Sequence, residues 1–152
     1  MTRLLCELVS AWPAPGATFQ AILARKPGEE TLLAFVMFAC LSGLVLRLPR
    51  LLDGAGAAER IGPAIAGALI FAPLFFYGLA AASALVLRLF GRRSVWRQAR
   101  LALFWSLLAV QPLAVIGAIL SLFGLPEMIA NTLTTLGFLY LWGAALVAIA
   151  RA

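Results

Sequence analysis

Five arginines, Arg88, Arg92, Arg93, Arg97 and Arg100, crowd one short stretch between two long apolar runs. Guanidinium groups at this density can hold phosphates or carboxylates through paired, charge-assisted hydrogen bonds. Beside a membrane span they have a second consequence: they keep their loop on the cytoplasmic side. Two other features could bear chemistry. Gln111-Pro112 interrupts an apolar run, where the proline leaves the carbonyl of residue 108 without its helical donor and the neighbouring amide can help to resatisfy the region. Asn131, Thr132, Thr134 and Thr135 open the last apolar run, as helix caps or as hydrogen bonds between helices.

Other kinds of chemistry find little support in these residue types. There is no histidine, so His-based metal sites, Ser-His and Cys-His pairs and imidazole proton relays are excluded. Cys6 and Cys40 lack metal-ligand spacing and read as small packing residues. All six carboxylates fall in loops or in the N-terminal leader, which argues against ion-coupled transport through a buried acidic group. Phosphate-binding glycine loops and nucleophile elbows are absent from the sequence. The expectation is a protein that is not an enzyme and needs no cofactor.

The elements that position these residues are apolar helices. In a chain of 152 residues, 64% are hydrophobic and only 12% charged, with a mean hydropathy of +1.03. That balance requires lipid as the main solvent and predicts an all-α membrane protein. Four spans are expected, at about 31–46, 61–87, 101–123 and 129–150, forming a transmembrane domain over 31–152. The first is the shortest, because Pro49 discourages continuation beyond Leu48. Pro73 should kink the second span and Pro112 the third.

Residues 1–30 read as a cytoplasmic, interfacial leader that is retained rather than cleaved. Leu4, Leu5, Leu8, Val9 and Trp12 share one helical face, and Pro13 and Pro15 end that piece. Phe19, Ile22 and Leu23 make the apolar face of a second short helix. Glu29 and Glu30 then suit the N-terminus of the first span.

Counting Lys and Arg fixes the orientation. The leader, the Arg88–Arg100 loop and the C-terminus together hold nine, against three (Arg47, Arg50, Arg60) on the opposite side. Both termini and the basic loop are therefore expected in the cytoplasm. The formal net charge of +6 has its partner in anionic lipid head groups rather than nucleic acid. Eleven arginines against one lysine, with heavy use of Ala, Leu and Gly, suggest a bacterial inner-membrane protein.

The stretch Gly91-Arg92-Arg93-Ser94-Val95-Trp96-Arg97-Gln98-Ala99-Arg100, continuing through Trp105 to Gln111-Pro112-Leu113, resembles the Yip family of Ypt/Rab-interacting membrane proteins. Gly91, Ser94, Ala99 and Pro112 match that family's Gly-containing cytoplasmic loop, Ala-rich helix start and proline-bearing third span. The leader with Pro13 and Pro15, and Arg47-Leu48-Pro49-Arg50, resemble short alphaproteobacterial members. The family has five spans where four are counted here, and the acidic, aromatic motifs of its GTPase-binding members are missing. The resemblance implies a helical membrane adaptor or organiser that binds lipids, partner membrane proteins or a second copy of itself. Arg92, Arg93, Arg97 and Arg100 are then the candidate lipid or partner contacts. The alternative is a small facilitator or transporter subunit with a polar cleft near Gln111, Pro112 and Asn131.

Overall fold

The computed structural model describes residues 12–52, 56–89, 91 and 96–151. Among these there are helices and no strand. The chain runs through α1 (Pro15–Ala24), α2 (Glu29–Leu52), α3 (Ala57–Ala66), a π-helical turn (Gly67–Phe71), α4 (Ala72–Leu89), α5 (Trp96–Ala109), α6 (Gln111–Leu122) and α7 (Glu127–Arg151). Four helical stretches are long and apolar enough to cross a membrane: α2, α3 through α4, α5 with α6, and α7. This is the fold of a multi-pass, all-α membrane protein.

The first span is longer than expected. α2 covers 24 residues and passes through Pro49 to Leu52. A proline in the last turn costs only the hydrogen bond to the carbonyl four residues back, and little helix follows to be disrupted. At 1.5 Å per residue α2 is about 36 Å long, enough to cross the roughly 30 Å hydrocarbon layer. Glu29 and Glu30 occupy its first turn and Arg50 its last, both favourable to the helix dipole.

Pro73 acts one turn earlier than its own position. Its ring would clash with a carbonyl in the preceding turn, and the chain widens there into the π-turn Gly67–Phe71, closed by the Ala72 N–H donating to Gly67 O. The helical stretch continues for 33 residues from Ala57 to Leu89. Pro112 has the stronger effect. It falls in the first turn of α6, and the third span breaks at Val110, whose carbonyl accepts from both Leu113 N–H (3.0 Å) and Ala114 N–H (3.2 Å).

α5 is the axis of the bundle. Of the most apolar window in each span, 44% is buried in the third and 22% in each of the others, so one helix is ringed by the rest. Leu101 through Leu107 are all buried in α5. A helix apolar on every side can be buried on every side. α2, α4 and α7 pack around it, and α1 completes the ring. Tyr77 of α4 meets Phe104 edge-on, with centroids 4.9 Å apart. Ser106, fully buried, returns its hydroxyl to Ala102 O at 2.7 Å. The outward faces carry large apolar side chains: Ile70, Phe71, Leu74 and Phe75 are each more than 60% exposed. A belt of that kind belongs against lipid.

α1 turns its apolar face to the bundle. Phe19 is fully buried beside Trp105 of α5 (centroids 5.6 Å), and Ile22, Leu23 and Trp12 pack on the same core. Gly16 sits against Ala148 near the end of α7. Just before α1, the Trp12 indole reaches further in. A Cβ placed on Gly137 would lie 2.9 Å from Trp12 Cη2 and 2.9 Å from Leu113 Cδ2. Gly137 is near the middle of α7, about 20 Å along the helix axis from Arg151. The missing side chain thus makes the space in which an indole from the leader meets α6 and α7 at mid-span. The first amphipathic segment of the leader, up to residue 11, lies outside the described residues.

Candidate functional site at the basic end of the bundle

Arg97 and Arg100 stand three residues apart in the first turn of α5 and so share one face. Opposite them, α1 ends and α2 begins. Arg25 and Lys26 donate their N–H groups to Ile22 O and Leu23 O, closing α1. Lys26 then takes φ +47°, a left-handed conformation that costs a non-glycine residue about 1 kcal/mol. This turn aims the carbonyls of Lys26 and Pro27 at α5. Arg97 Nη2 donates to both, at 2.9 and 2.6 Å.

Arg100 meets the start of α2. Its Nη1 donates to Glu29 Oε2 at 2.7 Å and its Nη2 to Oε1 at 2.6 Å, a two-pronged ion pair. The Arg100 side chain is only 14% exposed, and its guanidinium lies 5.8 Å from the centroid of the Trp96 ring. Its Nε is buried without a hydrogen-bond partner among the described residues. The two arginines therefore differ in charge balance. Arg100 is neutralised by a carboxylate, whereas Arg97 is held by uncharged carbonyls and keeps its full positive charge. Arg25, Lys26, Arg88 and Arg151 lie at the same end, with Glu29 and Glu30 as the described carboxylates there. At the other end Arg50 pairs with Glu127 at 2.7 Å, with both side chains about half exposed.

The remaining candidates are placed as follows. Arg92 and Arg93 lie outside the described residues. Gln111 Nε2 donates to Leu107 O at 3.1 Å, so the amide bridges the break between α5 and α6 inside the third span and does not reach another span. Its Oε1 is buried with no partner among the described residues. Asn131 is exposed, in a shallow concavity lined by Met128, Thr132, Thr135 and Leu136, all from α7. Gln111 is not part of that lining. Thr132, Thr134 and Thr135 give their hydroxyls to Met128 O, Ala130 O and Asn131 O, each four residues back in α7. They neither cap the helix nor cross to another.

Gln111→Leu is therefore expected to be neutral or slightly stabilising. It removes a buried oxygen with no partner among the described residues and one hydrogen bond across the α5–α6 break, terms of about 1 kcal/mol each and opposite in sign. Thermal unfolding in detergent checks this; a large loss would mean the amide holds something beyond its own helix.

Sequence reasoning missed the partners of the two arginines. The signal was present: a four-span topology returns Glu29 and the Arg88–Arg100 loop to the same end of the bundle. It also missed Gly117, which faces Ala130, and Gly137, which faces the Leu113 and Trp12 side chains. Small residues also pair at helical spacing at Gly62/Ala66, Gly78/Ala82 and Ala144/Ala148; nothing lies within 4 Å of a Cβ at Gly62 or Gly78, whereas Ala148 is buried and faces Gly16. No protein family, curated protein or solved structure matches this chain.

Proposed function

We propose that this chain is a non-enzymatic adaptor or organiser of the bacterial inner membrane, of the Yip type, with both termini in the cytoplasm. In this reading the basic end of the bundle grips the anionic leaflet and the outward faces of the spans associate with other membrane proteins or a second copy. The observation that carries it is the charge at that end. Arg25, Lys26, Arg88, Arg97, Arg100 and Arg151 outnumber Glu29 and Glu30, with Arg92 and Arg93 adding to the same loop in sequence. Each such charge near an anionic surface contributes about 1 kcal/mol of attraction. The facilitator reading lacks comparable support, because Gln111 is not among the residues that line the concavity at Asn131.

Two measurements test the proposal. Reporter fusions at Gly56 and Ser94 are expected to fall outside and inside, respectively; an external Ser94 overturns the orientation. Replacing Arg92, Arg93, Arg97 and Arg100 with glutamine should strip co-purifying anionic lipid from the detergent-solubilised protein. Anionic lipid retained unchanged by a correctly inserted variant would count against the adaptor. Cross-linking in native membranes then identifies any protein partner.

A further inference from the structure

The leader occupies its groove in the manner of an anionic phospholipid. At the basic end, the leader's acceptor oxygens, the Lys26 and Pro27 carbonyls, meet Arg97, beside Arg100 on its own partner Glu29 of α2. From there apolar groups run inward. Phe19 fills a fully buried site beside Trp105, and the Trp12 indole ends at Gly137, near the middle of α7. Polar acceptors at the membrane surface followed by apolar bulk down to mid-bilayer are the chemical profile of a lipid head and its acyl chain.

We propose that the groove formed by α5, α6 and α7 is a binding site for one anionic phospholipid, and that the leader, residues 12–27, is its built-in competitor. This rests on the reading above that the basic end faces an anionic leaflet. Charge decides the exchange. Arg97 is held by two neutral carbonyls, and a phosphate would replace them with an acceptor that carries the opposite charge and can take both prongs of the guanidinium. The short turn Arg25–Gly28 joins α1 to α2 and serves as the hinge. Its left-handed Lys26 would relax on release. Glu29 stays with Arg100 throughout, because it belongs to α2 and not to the leader. Arg97 is therefore the residue that passes from leader to lipid. The acyl chain takes the volume vacated by Phe19 and Trp12.

The docked leader can be locked covalently. A Cβ at Gly16 lies 4.0 Å from Ala148 Cβ, within the range of a disulfide. The experiment uses the full chain with Gly16→Cys and Ala148→Cys in a Cys6→Ala, Cys40→Ala background, in membranes of phosphatidylcholine with or without a third of phosphatidylglycerol. The cysteine pair should oxidise readily in phosphatidylcholine alone and several-fold more slowly with phosphatidylglycerol present. Failure to oxidise in phosphatidylcholine would contradict the docked position and overturn the proposal. After extraction, the reduced protein should retain phosphatidylglycerol in native mass spectra several-fold more than the oxidised protein. Arg97→Gln should remove that excess.

Equal retention by both redox forms, alongside retention that still depends on the arginines, overturns the groove and leaves the adaptor reading intact. No phosphatidylglycerol retained by either form overturns both. Inorganic phosphate at matched concentration should not slow oxidation. If it slows it as much as the lipid does, the acyl chain plays no part and the proposal fails.

Discussion

Phe19→Ala should detach the leader from the bundle while leaving the four spans assembled. The ring is fully buried and contacts Trp105 of the central helix. Truncating a buried phenylalanine to alanine costs about 3–5 kcal/mol in well-packed interiors. The leader's other large hold is the Trp12 indole against Gly137, and its remaining contacts are smaller. Arg97 contributes two hydrogen bonds to carbonyls, and Gly16 contributes only a small contact with Ala148. The spans, by contrast, keep their packing on α5 and their cost of leaving lipid. A cysteine at Gly16 reports the difference. It is expected to be slow towards a membrane-impermeant maleimide in the parent and many-fold faster in the Phe19→Ala background, with little change in the helical content of the spans. Labelling at the parent rate would show that the leader does not depend on this ring.

Gly117→Leu should do the opposite, leaving the leader's polar contacts in place and separating α6 from α7. A Cβ at Gly117 would stand 3.1 Å from Ala130 Cβ and 3.7 Å from Ala130 Cα and its carbonyl oxygen. Backbone cannot swing aside as a side-chain tip can. One added methyl group requires Ala130 to give by a few tenths of an ångström, and overpacking by larger groups typically costs about 1–3 kcal/mol. A leucine adds three more carbons to the same place. Because α7 also packs on α5 and α1, displacement at Gly117 should spread to the whole fourth span. Gly78→Leu is the control, since that position is exposed and nothing lies within 4 Å of its Cβ. Thermal unfolding in detergent should show a marked drop for Gly117→Leu and almost none for Gly78→Leu. Equal stability of the two variants would mean that α6 and α7 do not meet there.

Much of the architecture was legible because one physical quantity dominates it. Sustained apolar runs must be helices in lipid, where backbone groups have no water to satisfy them. The breaks at Pro73 and Pro112 were legible for a similar reason, since a missing N–H acts locally. Even so, the two prolines ended differently. The second span absorbed Pro73 by widening into a π-turn, whereas the third parted at Val110. Pro49 produced no stop, because it falls within the last turn of α2, which runs on to Leu52. The candidate site was half legible. The arginines announced themselves by density, but their partners are backbone carbonyls and a carboxylate some seventy residues away in sequence. A carbonyl has no signature in a sequence.

Close approach was the least legible property. Glycine and alanine are so abundant here that pairs at helical spacing occur throughout. Gly117 and Gly137 matter only because Ala130, Leu113 and Trp12 come to stand opposite them. By itself the sequence determined that the chain is a bundle of four apolar helices with its positive charge gathered at one end, because hydropathy and charge are sums over residues and need no partner. Only the tertiary structure decided that α5 is the axis, that Arg97 holds the leader and Arg100 the start of α2, and that Trp12 reaches the middle of α7. Those are contacts between distant segments, and a contact belongs to two residues at once.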